Sequence, residues 1–453
     1  MKKNDSIELQ ITGMSAEGNG VGKYEKMAVF VPYTVVGDIV EVKIVKVEKT
    51  YAFGKVTSLC RASENRVKSD CRLFTKCGGC VYRHISYQEE LRIKEQRVKD
   101  AMIRIGGFTD LHIQPIIGSA QPERYRNKAQ LPVRKGTGSQ PIMGFYAGRS
   151  HRIIDCTSCA LQSDAFTIAM KVFREWMKTS GNDVYNEQTG KGRIRHLYLR
   201  EAGATGEIMV CVVVNGNGLY HEDTLVKTLR DHVQGLKSVV INVNRDKTNV
   251  ILGGKCRTVW GSDTIKDKLC GMTFHISPLS FYQVNRMQTE KLYAVAKTYA
   301  AFTGKEVLLD LYCGIGTIGL TMARQVKRLI GVEVVQTAVE DARKNAAENG
   351  ITNAEFICSD AAQAAVMLQQ QGVRPNVIVI DPPRKGCQES LVQTIVQMSP
   401  DRIVYVSCDP ATLARDLKWF TQFGYWPQAI TPVDMFPRTA HVETVVMLSR
   451  KKI

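Results

Sequence analysis

The sequence predicts a multidomain α/β protein, with a small N-terminal β-barrel, a central α+β segment and a C-terminal doubly wound sheet. Three observations carry this prediction. A chain of 453 residues is longer than one hydrophobic core serves. Short β-prone runs punctuated by turn residues fill residues 1–60. From about residue 271, apolar runs alternate with helical stretches, the pattern of a parallel sheet covered by helices.

In residues 1–60 the β-prone runs are Ile7–Ile11, Met27–Pro32, Asp38–Val47 and Ala52–Thr57. Gly13, the Gly18-Asn19-Gly20 turn and Val36-Gly37-Asp38 separate them. This spacing suggests a five-stranded barrel of the kind that binds oligonucleotides. The run Gly18-Asn19-Gly20-Val21-Gly22, then Val29-Phe30-Val31-Pro32, then Gly37-Asp38, resembles a TRAM domain, which implies RNA binding.

Residues 61–270 open with clustered cysteines, continue through a helical stretch from Tyr87 to Ile105, and then show strand-like runs at His196–Arg200, Ile208–Val214 and Val239–Asn244. Eleven basic and six acidic residues lie between Arg61 and Arg104, so this segment is expected to present a basic face. Residues 271–453 carry buried-looking runs at Val307–Leu311, Arg328–Val332, Ala354–Ile357, Val377–Ile380 and Arg402–Val406. The helix expected over Thr337–Asn349 stops at Gly350. In such a sheet, ligands bind at the carboxyl ends of the strands.

Sixty-one Lys plus Arg against 44 Asp plus Glu give a net charge of +17, which favours a polyanionic partner such as RNA. No apolar run reaches the roughly 20 residues of a membrane span, and the polar N-terminus lacks a signal-peptide core, so no membrane association and a cytoplasmic location are expected. No obligate protein partner is evident. Thirteen cysteines is an odd count without a secretion signal, which turns attention from disulfides to metal binding or catalysis.

Asp310-Leu311-Tyr312-Cys313-Gly314-Ile315-Gly316-Thr317-Ile318-Gly319 follows a strand and opens a helix, as a nucleotide-type loop does. A nicotinamide enzyme is the first rival for such a loop. Three further features together resemble class I S-adenosylmethionine methyltransferases. Asp310 ends the strand, where it would face a cationic or amino-acid ligand. Glu333, 23 residues on, would meet a ribose diol, and Asp381-Pro382-Pro383-Arg384 ends the fourth strand. Ser407-Cys408-Asp409-Pro410 follows Val404-Tyr405-Val406, at the tip of the fifth strand. A thiolate there can add to carbon 6 of a pyrimidine and make carbon 5 nucleophilic towards a sulfonium methyl. A base must then remove the carbon 5 proton, and His441-Val442-Glu443-Thr444, just before the final strand Val445–Leu448, offers one.

These motifs, with Ser280-Phe281-Tyr282-Gln283-Val284-Asn285, resemble the TrmA/RumA family of RNA uracil-C5 methyltransferases over nearly the whole chain. The resemblance implies a class I methyltransferase domain, with methyl-donor contacts at Gln283, Tyr312, Glu333 and Asp381, Cys408 as nucleophile and Glu443 as base. General class I geometry adds Asp360 as an adenine contact.

Cys71-x5-Cys77-x2-Cys80 has metal-ligand spacing, with Cys156 or Cys159 as the fourth thiolate, and either zinc or an iron–sulfur cluster suits four thiolates. The resemblance implies a [4Fe–4S] cluster, and the context Cys159-Ala160-Leu161-Gln162 selects Cys159. It also points to 23S rRNA as partner, ahead of tRNA. The rivals are a non-catalytic cluster-bearing RNA-binding protein and a methyltransferase acting on protein or a small molecule.

Overall fold

The structure is a computed structural model that describes residues 1–136, 138 and 140–450. In the N-terminal region, strands β1 (Ser6–Gln10), β2 (Gly13–Met14), β3 (Gly20–Tyr24), β4 (Met27–Val31), β5 (Ile39–Val47) and β6 (Tyr51–Arg61) form one sheet in the order β1-β5-β6-β4-β3-β2. Alternation turns Ile7, Leu9, Val40, Val42 and Ile44 into one apolar core with Val29 and Val31. The sheet has six strands where five are expected. The four runs read from the sequence are β1, β4, β5 and β6; the strands not read are the two-residue β2 and β3, whose glycine-rich sequence reads as turn. Gly22 is required there by close approach, because a Cβ would stand 2.4 Å from the Gln10 carbonyl oxygen.

Helix α1 (Tyr87–Ala101) is capped by the Ser86 side chain, which accepts from the Glu89 amide at 3.3 Å, and carries Glu89 and Glu90 in its first turn. It runs into a π-helical turn over Met102–Gly106, which ends at left-handed Gly107. The sequence groups this helix with the central segment, but its buried face does otherwise. Val98, Ala101 and Met102 share a core with Leu309, Ile380 and Leu417 of the C-terminal sheet and its helices. Its buried Lys94 donates to Glu90 Oε1 and Asp434 Oδ1, both at 2.7 Å, and all three side chains are fully buried.

Strands β7 (Lys128–Lys135), β8 (Pro141–Tyr146) and β9 (Ile153–Asp155), helix α2 (Asp164–Thr179), strands β10 (Ile194–Glu201) and β11 (Ile208–Val214), helix α3 (Glu222–His232), and strands β12 (Leu236–Val243) and β13 (Lys255–Gly261) make the central α+β unit. Its sheet order is β13-β12-β11-β10-β7-β8-β9. Apolar faces of α2 and α3, among them Phe166, Phe173 and Leu229, cover Leu197, Val210 and Val212. A hairpin, β14 (Ile265–Leu269) and β15 (Met272–Ile276), leads to helix α4 (Arg286–Ala300).

The C-terminal sheet consists of β16 (Val307–Leu311), β17 (Arg328–Glu333), β18 (Ala354–Cys358), β19 (Val377–Ile380), β20 (Arg402–Ser407), β21 (Tyr425–Val433) and β22 (Glu443–Arg450). Helices α5 (Thr317–Met322), α6 (Gln336–Glu348), α7 (Ala361–Gln370), α8 (Glu389–Gln397) and α9 (Pro410–Gln422) connect it. The order is β18-β17-β16-β19-β20-β22-β21, parallel from β18 through β20, with β22 running antiparallel between β20 and β21. The expected all-parallel sheet is therefore mixed. Strand order reverses between β16 and β19, the position where α/β sheets open a ligand crevice. The last strand begins at Glu443 instead of Val445, so Glu443 is its first residue and does not precede it. Among the described residues, no helix is long and apolar enough to cross a membrane.

Candidate active site

Register lines up one edge of the C-terminal sheet. Leu311 pairs with Val332 on one side and Ile380 on the other, so Glu333 ends β17 beside Tyr312, and Asp381 follows β19. Ile380 pairs with Tyr405 on β20. Ser407 faces Thr444 across the antiparallel pair, which makes Cys408 and Glu443 the next residues outward and cross-strand neighbours. Because β22 runs antiparallel, it presents its first residue where the parallel strands present their last. Glu333, Tyr312, Asp381, Cys408 and Glu443 thus form one row in sheet order.

This row is short of positive charge. Burial, followed by the nearby Asp381 and Glu333, pushes the Asp310 carboxyl up to about 8, while the Gly319 amide opposes the shift. Burial alone pushes Asp381 up to about 7. Burial and then Asp381 push Glu443 up to about 8, and burial followed by Glu443 and Asp381 pushes the Cys408 thiol up to about 11. Arg384 opposes the shift at both Glu443 and Cys408. Buried acids that hold their protons for want of a counter-charge suit a cationic ligand. His441 is held well below its usual range, near 4, by burial and then by Arg384, Arg97, Lys94 and Arg126.

The glycine loop is wound tightly, with left-handed φ of +67° at Tyr312, +56° at Gly314 and +85° at Gly316. Asp310 does not simply face outward. Its Oδ2 accepts from the Gly319 amide at 2.8 Å, and its buried Oδ1 has no partner. Glu333 accepts from the Gly314 amide at 3.1 Å and the Val335 amide at 2.9 Å, tying the loop to the next strand tip. Asp360 is exposed and caps α7, its Oδ1 accepting from the Ala362 amide at 2.9 Å and the Gln363 amide at 3.3 Å. An orphaned buried carboxylate oxygen and a cluster of raised acids fit the sulfonium and ammonium charges of S-adenosylmethionine.

Gln283 is buried in the segment before α4, where the Asn127 side chain donates to its carbonyl at 2.9 Å. Asn285 caps α4 and donates to the Met435 carbonyl at 3.1 Å, so this segment is pinned to both the central sheet and the loop after β21. The turn from Asp381 to Cys387 is held from α9, since the Cys387 amide donates to buried Asp416 at 2.7 Å. Sequence reasoning gave no role to Arg384, although it lies in the Asp-Pro-Pro-Arg motif. It also missed Arg97 on α1, which donates to the Ala440 carbonyl at 2.5 Å and lies 3.8 Å from Asp409. Arg97 had no signal, because its partners are more than 300 residues away in sequence.

Away from the row, Cys71, Cys77, Cys80, Cys156 and Cys159 line one cavity of about 250 Å³ together with Arg83. Among the described residues, no three His, Cys, Asp or Glu side chains converge on a single ion position. Burial pushes the thiols of Cys80 and Cys156 up to about 12 and raises those of Cys77 and Cys159. The sulfurs differ in their bonding. The Gly79 amide donates to Cys77 Sγ at 3.4 Å, and the Leu161 and Gln162 amides favour the Cys159 thiolate. Cys156 Sγ instead donates to the Ser158 carbonyl at 3.1 Å.

Comparison with known proteins agrees with this geometry. Residues 86–451 match the family model described as tRNA (Uracil-5-)-methyltransferase, and residues 2–57 match the TRAM domain. A Clostridium tetani protein described as an "Uncharacterized RNA methyltransferase" is 44% identical over 449 residues, covering 99% of this chain and 97% of its own. A Halalkalibacterium halodurans RNA methyltransferase is 44% identical over 451 residues, covering 100% and 98%. The solved structure of Pyrococcus abyssi tRNA (uracil-54, C5)-methyltransferase, in complex with S-adenosyl-L-homocysteine, matches with a TM-score of 0.78 at 27% identity, covering 98% of this chain and 100% of that one. With the row of acids and thiol at the sheet edge, matches of this length show that the chain belongs to the TrmA/RumA family of S-adenosylmethionine-dependent RNA uracil-C5 methyltransferases and carries an N-terminal TRAM domain.

Proposed function

We propose that this protein methylates carbon 5 of a uridine in 23S rRNA, with Cys408 as nucleophile and Glu443 as base. The observation that carries the reading is the cross-strand adjacency of Cys408 and Glu443, next in the row to Asp381. S-adenosylmethionine, when bound, supplies the methyl group on a positively charged sulfur. Gln283, Tyr312, Glu333 and Asp381 contact it, and its charge relieves the repulsion among Asp310, Asp381 and Glu443. Cys408 adds to carbon 6 of the uracil as a thiolate, favoured by Arg384 against the opposing charges of Glu443 and Asp381. Carbon 5 then takes the methyl group. Glu443 removes the carbon 5 proton, the C5–H electron pair forms the C5–C6 double bond, and the C6–S bond breaks to release Cys408 as thiolate. A uracil stacked in a duplex cannot reach this edge, so the target is looped or flipped out.

We read the cysteine cavity as the seat of a [4Fe–4S] cluster held by Cys71, Cys77, Cys80 and Cys159, a reading that rests on the cysteine spacing and on all four lining one cavity. A zinc ion needs four sulfurs at about 2.3 Å from one point. Among the described residues no three such side chains converge on one point, and the cavity of about 250 Å³ that the thiols line is walled by thirteen further residues. Backbone bonding favours the thiolate at Cys77, Cys159 and Cys156 alike, so the choice of Cys159 rests on its Cys159-Ala160-Leu161-Gln162 context. The cluster would brace the fold beside Arg126 and Lys128, which also line that cavity and carry charge suited to RNA phosphates.

The reading of 23S rRNA rests on the combination of TRAM barrel and cysteine set. One observation favours tRNA instead, the near-complete coverage of this chain by the Pyrococcus abyssi tRNA enzyme. Mapping 5-methyluridine in RNA from a strain lacking the gene separates the two. Loss from a 23S fragment, restored by the wild-type protein and not by Cys408→Ala, is the expected result. Loss from tRNA alone would overturn the rRNA assignment and keep the chemistry.

A further inference from the structure

The segment from Asp434 to Val442 leads into Glu443 and is held almost entirely by residues remote in sequence. Arg438 is its central joint. The Arg438 backbone is left-handed, with φ of +69°, a conformation that a non-glycine residue keeps only where its surroundings over-determine it. Its carbonyl accepts from the amides of Val81 at 2.9 Å and Tyr82 at 3.2 Å, the two residues after Cys80. Its own amide donates to Glu90 Oε1 at 2.7 Å, and its guanidinium donates to Glu123 Oε1 at 3.0 Å. Glu123 Oε2 in turn accepts from Arg83 at 2.8 Å, and Arg83 is a wall of the cysteine cavity with a side chain only 2% exposed. On the other side, Glu90 belongs to the buried Lys94 cluster, and Lys94 also donates to the Phe436 carbonyl at 3.1 Å. A continuous path of charged hydrogen bonds and shared backbone therefore runs from the cysteine cavity to the segment that ends at Glu443.

We propose that Arg438 is a positioning residue that couples the cysteine cavity to the Glu443 segment, so that a filled cavity fixes the aim of the Glu443 carboxylate. The inference rests on Glu443 being the base and on the thiols being cluster ligands. Thiols tied to a common cluster hold the turn after Cys80 in place, and that turn supplies both amides to the Arg438 carbonyl. An untethered turn withdraws two of the bonds that maintain the left-handed residue. Cys408 directly follows β20 and takes no part in this path of bonds, so thiolate addition and methyl transfer are spared. The affected step is the last one, in which Glu443 takes the carbon 5 proton and the C6–S bond breaks.

The test compares wild type, Arg438→Met, Arg438→Lys, Glu123→Gln and Cys80→Ser as full-length protein purified with its iron. Two quantities are read, amide hydrogen exchange over residues 434–442 and the partition between covalent protein–RNA adduct and released product during turnover. Arg438→Met is expected to keep wild-type iron content, to speed exchange in this segment roughly tenfold, and to slow release roughly 100-fold with adduct accumulating and KM for RNA unchanged. Arg438→Lys should recover part of the release rate, and Glu123→Gln should give a smaller shift of the same sign. Cys80→Ser should speed exchange over the same residues. Unchanged exchange in Cys80→Ser, or in Arg438→Met a raised KM with an unchanged partition, would overturn the coupling. Glu443→Gln is run in parallel. If it accumulates no adduct, the base assignment itself fails; if it does while Arg438→Met does not, only the coupling fails.

Discussion

The sheet edge and the cysteine cavity both gather buried acids or thiols whose protons are held by desolvation, yet they are assembled by opposite routes. At the edge, five groups come from five strand ends, and the register of the sheet sets their order. At the cavity, the thiols come from two loops, one before α1 and one after β9, and the sheet reaches them through β8, whose Met143 and Tyr146 carbonyls accept from the Cys156 and Gly78 amides. The first arrangement takes its order from strand pairing, with the 434–442 segment leading into its Glu443 end. The second is the proposed seat of a cluster. Groups ordered by backbone pairing therefore sit at the sheet edge, and the proposed brace sits where loops meet.

If that contrast holds, lesions at the edge change the reaction and lesions at the cavity change the brace. The largest effect expected is at Cys408. Cys408→Ala should abolish methylation while S-adenosylmethionine binding, measured by calorimetry, stays near wild type. Next, Glu443→Gln should slow product release by about 100- to 10,000-fold and leave a methylated protein–RNA adduct visible on a denaturing gel. At the cavity, Cys159→Ser should lose most of the iron and visible absorbance, and Cys156→Ser should retain them. The reverse order would exchange the two as ligands.

A smaller effect is expected from pH. The carboxyls of Asp310, Asp381 and Glu443 are raised to about 8, 7 and 8. A cation binds better to their ionised forms and expels their protons, so affinity for S-adenosylmethionine should rise with pH from 6 and level off above about 8. The rise should approach about tenfold per pH unit for each carboxyl that ionises. S-adenosylhomocysteine lacks the sulfonium charge, and its affinity should rise less steeply. The smallest effect is at α7, where Asp360→Ala removes a helix cap and should cost about 1 kcal/mol in denaturant unfolding.

Much of the edge was legible because parallel strands announce themselves as apolar runs, and the residues just after Leu311, Ile380 and Ser407 must then stand together. Less legible was the direction of β22. Its sequence is as apolar as a parallel strand, and only pairing reveals that it presents Glu443 first. The third strand of the barrel was hidden because Gly20 and Gly22 look like turn residues, when they are there for close packing. Helix α1 was read as a helix but assigned to the wrong neighbour, since amphipathic spacing shows that a face is buried and not what buries it. Cysteine spacing exposed the cavity, while the bonds from Arg83 through Glu123 and Arg438 to Glu90 join residues too far apart for any local pattern.

The most direct test of the central claim is a covalent trap. RNA carrying 5-fluorouridine at the target lets a thiolate add and carbon 5 accept the methyl group, but fluorine replaces the proton that Glu443 is proposed to remove, so the adduct cannot resolve. Incubation with S-adenosylmethionine followed by peptide mass spectrometry should find the nucleotide on the peptide containing Cys408, and no adduct should form with Cys408→Ala. An adduct on any other residue, or turnover without one, would contradict the account.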